Sequence, residues 1–154
     1  MNKINITWSG PYSIEEIKNS DKTGDCGVYQ IYGADPVYGG NRLLYIGRTT
    51  QGTFRNRILG HKWCVATRDP ENISCYLGRL TGNFSPKDEE VMIKEAESLL
   101  IYAHFPPYNT QKDLSEQRLG ALKEVHVFNW DHRCDLLPEV SGARYYRDTS
   151  IKII

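Results

Sequence analysis

The sequence predicts an α+β protein in which a small central, mainly antiparallel sheet of three or more strands is flanked by helices. Two runs rich in β-branched and aromatic residues, separated by a turn-rich segment, predict a β-hairpin. Further along, a capping residue followed by apolar residues at helical spacing predicts a long helix. The 154 residues contain no internal repeat and no low-complexity linker. We therefore expect one domain spanning residues 1–154.

The first predicted elements are a short helix and the hairpin. Ser13 and Glu16 have the spacing of a capping box, which predicts a helix that begins directly after Ser13. Gly27–Tyr32 is the first predicted strand and Leu43–Gly47 the second. The segment 33–42 is rich in Gly, Asp, Asn and Pro, so we expect a loop that is long for a hairpin.

The middle of the chain predicts a second helix and a third strand. Thr53 is the expected N-cap of this helix. Its inward stripe would consist of Phe54, Ile58, His61 and Val65. Ile73–Leu80 is the predicted third strand, although Gly78 weakens the pattern.

The clearest helix begins after Ser85, with Pro86 at its first position and Asp88 in its first turn. Apolar residues then recur at helical spacing, at Met92, Ala96, Leu99, Leu100 and Ala103. Phe105–Pro107 should end this helix, because a proline disfavours helical geometry in the residue before it. Beyond it, we expect a helix over Ser115–Lys123 and a strand over Val125–Phe128, and the residues after Trp130 show no usable pattern.

Composition limits the class of protein. No apolar run approaches the ~18 residues that span a bilayer. The first ten residues lack the basic-then-apolar order of a signal peptide, so we expect a cytoplasmic protein. The four cysteines form no CxxC pair, which disfavours a structural zinc site. We expect four free thiols, mostly buried.

The net charge is zero, but the charges are unevenly distributed. Residues 36–68 contain no Asp or Glu, yet all six of the following basic residues lie there: Arg42, Arg48, Arg55, Arg57, Lys62 and Arg68. Such a segment could present a positive face to phosphates, or it could be ordinary solvated surface.

Glu97 is the most unusual polar residue of the long helix. Ile93 and Ile101 flank it at one turn on either side, so its carboxylate should rise from an apolar ridge and be partly desolvated. A carboxylate in that setting needs a cation or a hydrogen-bond partner, which could be a metal ion or a nearby arginine. Arg57 and His61, four residues apart, should be neighbours on one helical face.

Five segments, in order, resemble the GIY-YIG nuclease family. Gly27-Val28-Tyr29 and Tyr45-Ile46-Gly47 resemble its paired strand signature. The likeness continues through 54–58 (FRNRI), 96–101 (AESLLI) and 106–109 (PPYN), so it covers more than half of the chain. One tripeptide is weak evidence, whereas five elements in the family's order indicate membership.

The resemblance implies an endonuclease that hydrolyses phosphodiester bonds with one Mg²⁺ or Mn²⁺ ion. The implied catalytic residues are Tyr29, Tyr45, Arg57, His61, Glu97 and Asn109, with Glu97 as the metal ligand. Since the loop at 33–42 and the turn at 48–52 look slightly longer than the commonest family versions, Arg55 is a rival for the role of Arg57.

These roles suit the chemistry. Arg57 would hold phosphoryl oxygens while remaining charged, and Glu97 would bind a metal ion that keeps sites for water and phosphate. Three candidates remain for the general base: His61, or Tyr29 or Tyr45 with a pKa lowered by the arginine and the metal.

DNA is the expected substrate, with RNA left open. The expected nucleic-acid-binding residues are Arg42, Arg48, Arg55, Lys62 and Arg68. We expect no separate DNA-reading domain, so specificity would come from loops, a homodimer or a partner protein, or would be low. Two alternatives are a catalytically inactive nucleic-acid-binding or interaction module on the same fold and a purely structural domain.

Overall fold

The computed structural model describes residues 2–20, 25–65, 70–109 and 120–145. Its strands are β1 (Asn2–Tyr12), β2 (Gly27–Asp35), β3 (Gly39–Thr49), β4 (Ser74–Leu80), β5 (Val125–Asp131) and β6 (Glu139–Ser141). Its α-helices include α1 (Ile14–Asn19), α2 (Phe54–Leu59), α3 (Lys62–Val65) and α4 (Pro86–His104), with 3-10 turns at Pro70–Asn72 and Gly142–Arg144.

The strands form one curled six-stranded sheet in the order β3-β2-β4-β1-β5-β6. Every neighbouring pair is antiparallel except β1 and β5, which are parallel. The predicted α+β class and the antiparallel hairpin of β2 and β3 are therefore confirmed. Strand β3 is left at one edge of the sheet, with its outer backbone groups unpaired by any other strand of the described chain.

Helices cover both faces of the sheet. On one face, α4 packs its buried residues against β1 side chains such as Ile4 and Ile6. On the other face, Phe54 and Ile58 of α2 pack against Tyr29 of β2. Alternate residues of a strand point to opposite faces, so the hairpin supplies side chains to both clusters.

Strand β1 was not predicted, although its signal is present. Ile4, Ile6 and Trp8 alternate with polar residues and are fully or almost fully buried. The buried Trp8 indole donates to Asn129 Oδ1 at 2.9 Å. The amino-terminal residues therefore form a central strand between β4 and β5.

The hairpin loop predicted over 33–42 is wrong. Strands β2 and β3 continue to Asp35 and Gly39 through two irregularities in their pairing. The Asp35 carboxylate accepts hydrogen bonds from the backbone N–H groups of Val37 and Tyr38, both at 2.9 Å. This local bonding stabilises a tight turn, so the strands can pair almost to the tip.

The second helix is shorter than predicted. Thr53 caps it by accepting a hydrogen bond from the Asn56 backbone N–H at 3.2 Å. The helix then ends at Leu59, and Gly60 separates it from α3. His61 therefore lies between two short helices, and the continuous helical stripe predicted through Val65 is wrong.

The remaining predictions concern helix α1, strand β4, helix α4 and the elements after it. The capping box of α1, the strand β4 and the helix α4, capped by Ser85, are confirmed. Most of the helix predicted over Ser115–Lys123 lies outside the described residues, and residues 120–122 are helical. A strand does form in the predicted region 125–128 and continues to Asp131.

All four cysteines are free thiols, as expected, but they are not mostly buried. Cys64 and Cys75 are buried, Cys26 is partly buried and Cys134 is exposed. Across the described ranges, no helix combines the length and apolarity that crossing a bilayer requires.

Candidate active site

The candidate site begins where the Tyr29 side chain crosses Gly47 at the outer edge of the hairpin. A Cβ atom at Gly47 would overlap the phenol end of Tyr29 and would lie 2.7 Å from Cε1 of Tyr45. Glycine at this position of the edge strand therefore lets the hydroxyl of a fully buried tyrosine reach past the strand. The lack of a side chain at Gly47 is the steric reason why the tripeptides Gly27–Tyr29 and Tyr45–Gly47 can pair this closely.

His61 meets both tyrosines. The Tyr29 hydroxyl and His61 Nε2 lie 2.7 Å apart and share a hydrogen bond. The rings of Tyr45 and His61 are in edge contact, with centroids 4.6 Å apart. The predicted grouping of Tyr29, Tyr45 and His61 is thus present, even though His61 lies outside helix α2.

The electrostatics of this group differ from the sequence-based expectation. Burial raises the pKa of Tyr29 and of Tyr45 above the ordinary value of 10.0, and the charge of Arg57 only partly opposes the rise. Burial, together with the charge of Arg57, lowers the pKa of His61 below 6.5. At neutral pH the protein alone therefore holds two protonated phenols beside a neutral imidazole.

Arg57 lines a polar pocket of about 440 Å³ beside this group. The pocket is lined by Arg48, Thr49, Thr50, Gln51, Gly52, Thr53, Asn56 and Arg57, none of which is acidic. Two guanidinium groups, three hydroxyls and two amides can bind an anion, and the volume admits a phosphodiester. Arg57 also acts electrostatically on Tyr29, Tyr45 and His61, which places it at the same site.

Glu97 faces the site from helix α4. Its side chain is only 12% exposed and forms an ion pair with Arg48 Nη1. Its negative charge raises the pKa of both Tyr29 and Tyr45, so the carboxylate lies within electrostatic range of the two phenols. The expectation that a partly desolvated carboxylate here has a cation or a hydrogen-bond partner is confirmed, and in the protein alone Arg48 is such a partner.

The donor set fits a metal ion that needs few protein ligands. Among the described residues, no three His, Cys, Asp or Glu side chains are grouped so as to hold a metal by themselves. A tetrahedral zinc site takes three or four such ligands from the protein. Mg²⁺ and Mn²⁺ are compatible, because such ions bind through one or two carboxylates, water and substrate phosphate oxygens. Glu97 is the carboxylate that would hold one here.

Asn109 has a structural role that the catalytic assignment did not anticipate. Its side-chain Oδ1 accepts from the Ile46 backbone N–H at 3.0 Å, and its Nδ2 donates to the Ile46 carbonyl at 2.8 Å. This amide pairs with the free edge of β3 as another strand would. Asn109 is thus a positioning residue for the Tyr45–Gly47 segment.

Arg57, not Arg55, belongs to the site. Arg55 Nε donates to the Lys18 carbonyl at 2.9 Å, so this side chain turns toward helix α1. Its Nη1 also donates to Asn56 Oδ1 at 3.1 Å, and Arg55 itself does not line the pocket that Arg57 lines. The geometry therefore favours Arg57 over its rival.

Of the other predicted nucleic-acid-binding residues, Arg42 lies far from the pocket. Arg42 donates to the Tyr38 carbonyl near the hairpin tip, roughly 20 Å along β3 from Arg48 at strand spacing. Lys62 is exposed next to His61. Arg68 lies outside the described residues. Arg48, expected only to bind nucleic acid, instead pairs with Glu97 inside the site; its position directly after Gly47 was the available signal.

Comparisons with known protein families, with curated proteins and with solved structures find no match. The case for a function therefore rests on the geometry of the site and on the resemblance carried by its motifs.

Proposed function

We propose that this protein is a metal-dependent endonuclease of the GIY-YIG type that hydrolyses phosphodiester bonds, with DNA as the expected substrate. The observation that carries the proposal is that Tyr29, Tyr45 and His61 lie within electrostatic range of Arg57, while Glu97 pairs with Arg48, and that both arginines line one polar pocket. A purely structural domain has no need for two arginines at one pocket with a buried carboxylate paired to one of them.

In the proposed reaction, Arg57 and Arg48 bind the scissile phosphate. Each guanidinium can donate two parallel hydrogen bonds to non-bridging oxygens, which neutralises the charge that develops there. Entry of a phosphate also gives Arg48 a second anionic partner besides Glu97. Glu97 would hold a Mg²⁺ or Mn²⁺ ion, and that ion would supply Lewis-acid chemistry when bound.

The Tyr29–His61 pair is the proposed proton acceptor. A water molecule attacks phosphorus while its proton passes to the Tyr29 oxygen, and the Tyr29 proton passes to the neutral His61 Nε2. The bond between phosphorus and O3′ breaks, and O3′ takes a proton from solvent. Among the three candidates for the base, His61 is favoured because burial and the charge of Arg57 lower its pKa and leave the imidazole neutral, whereas burial raises the pKa of both phenols and keeps them protonated.

The test is incubation of supercoiled plasmid with the purified protein and Mg²⁺ or Mn²⁺. We expect nicking that EDTA abolishes, and a rate lowered at least ~100-fold in Arg57→Ala, the effect typical of losing one transition-state donor. Glu97→Ala should be equally inactive. Arg55→Ala is the matched control, because it removes a nearby guanidinium that faces helix α1. Equal losses in Arg55→Ala and Arg57→Ala would refute the assignment.

A binding module without catalysis is the second candidate. The ion pair between Arg48 and Glu97 favours it, because that pair already satisfies the carboxylate without a metal. Plasmid that stays intact with either metal, alongside a protein–nucleic acid complex that weakens steeply with salt, would support this candidate and reject the nuclease.

A further inference from the structure

Five rings form a continuous path from the interior of the candidate site to the protein surface: Tyr29, Tyr45, His61, Trp63 and Tyr108. The path continues beyond the proposed catalytic group, since the Trp63 ring lies 5.7 Å from that of His61 and 4.9 Å from that of Tyr108. Tyr29 is fully buried, Trp63 is partly buried and Tyr108 is 39% exposed. The outer end of the path is therefore open to solvent.

Two distant parts of the chain build this outer end. Gly60 ends helix α2, so that His61 and, two residues later, Trp63 approach the hairpin edge. Tyr108 arrives from the other side after helix α4, and its backbone N–H donates to the Leu44 carbonyl of β3 at 2.9 Å. The ring planes of Trp63 and Tyr108 meet at 84°, an edge-to-face pair held at the outer edge of the sheet.

The surroundings of this pair suit a nucleic acid strand. The pocket that Arg48 and Arg57 line contains no acidic residue, and the charge of Arg57 acts on Tyr29, Tyr45 and His61, the inner rings of the path. Basic side chains close to partly exposed rings are the combination by which proteins bind single strands, since guanidinium groups take the phosphate and aromatic rings stack on the base. If the Tyr108 ring served only to pack against its neighbours, it would have no need to be exposed to solvent.

We propose that Trp63 and Tyr108 form a stacking site for an unpaired nucleobase next to the phosphate held by Arg57. The inference rests on the proposed function and specifies its substrate class as single-stranded or locally unpaired nucleic acid. In an intact duplex each base is already stacked on both faces, so it offers no free face to the rings.

Binding of a single-stranded DNA 12-mer tests the base site. The affinity of the Glu97→Gln protein, chosen to prevent turnover, is measured by fluorescence anisotropy for the intact strand and for strands with one abasic site at each position in turn. At one position we expect the abasic site to weaken binding about tenfold, or ~1.4 kcal/mol, which is within the range of one base–aromatic stack. Adding Trp63→Leu should abolish that dependence, because the ring that stacked on the base is gone.

Three variants keep the test decisive. Trp130→Leu is the matched control: Trp130 is 54% exposed on β5 and its indole bonds to Asn5, so the abasic profile should not change. Trp63→Phe retains a ring and should retain the position dependence. If Trp63→Leu unfolds, Tyr108→Leu replaces it, since the hydrogen bond from residue 108 to Leu44 uses only the main chain.

The outcomes separate the two proposals. The proposed base site is refuted if the abasic profile is the same with and without the Trp63 ring. It is also refuted if a fully paired duplex binds as tightly as the single strand. Failure of the wild-type protein to cut any nucleic acid with Mg²⁺ or Mn²⁺ overturns the nuclease, and cleavage is measured independently of the abasic profile.

Discussion

Replacing Asn109 distinguishes a positioning residue from a catalytic one, because its two hydrogen bonds to Ile46 predict a loss of stability without any substrate. Asn109→Ala removes both bonds and leaves the outer N–H and C=O groups of Ile46 without this partner. Each such bond contributes roughly 0.5–1.5 kcal/mol net, so the free energy of unfolding should fall by about 1–3 kcal/mol. For a chain of this size, that corresponds to a melting temperature lowered by roughly 2–12 °C.

Urea denaturation followed by circular dichroism measures this loss directly. Asn83→Ala is the control, since Asn83 is exposed in the segment before helix α4 and should change stability by less than about 0.5 kcal/mol. If the activity proposed above is found, Asn109→Ala should also slow cleavage, because the Tyr45–Gly47 segment is no longer held. An Asn109→Ala protein as stable as Asn83→Ala but inactive would refute the positioning role and restore the catalytic one.

Two further predictions concern the steric and titratable features of the fold. Gly47→Ala should lower the free energy of unfolding by about 1–3 kcal/mol and shift the Tyr29 ring, because a methyl group there overlaps the phenol. Gly40→Ala, which meets no atom within 4 Å, should be nearly neutral, and equal effects of the two changes in urea denaturation would contradict the steric reason. Burial lowers the pKa of His104, whose Nδ1 bonds to the Leu100 carbonyl while Nε2 accepts from the Leu137 N–H. The unfolded chain binds the proton more tightly, so the stability that His104 provides is complete above pH 6.5 and is lost as the pH falls below it. Thermal melts from pH 8 to pH 5 should show a smaller drop in His104→Gln than in the wild type, and identical drops would reject this assignment.

The local sequence was sufficient to predict the elements that are specified by interactions between nearby residues. A capping box specifies helix α1, and a serine cap followed by proline and apolar spacing specifies helix α4, because these signals act within one turn. The apolar neighbours of Glu97 also show that its carboxylate is partly desolvated. The alternation of Ile4, Ile6 and Trp8 with polar residues is an equally local signal, so strand β1 could also have been predicted from the sequence.

Other features depend on contacts between distant segments, which no local pattern encodes. The cation beside Glu97 is Arg48, which lies 49 residues earlier in the chain. Only the packing of α4 against the hairpin edge brings the two side chains together. Likewise, Asn109 completes the edge of β3 from 63 residues away, and Trp63 meets Tyr108 only because Gly60 ends a helix. By itself the sequence determined the type of most elements and most of the candidate residues, since capping and periodicity are short-range. Tertiary structure decided which charges pair and which rings touch, since these depend on strand order and on the crossing of sheet and helix.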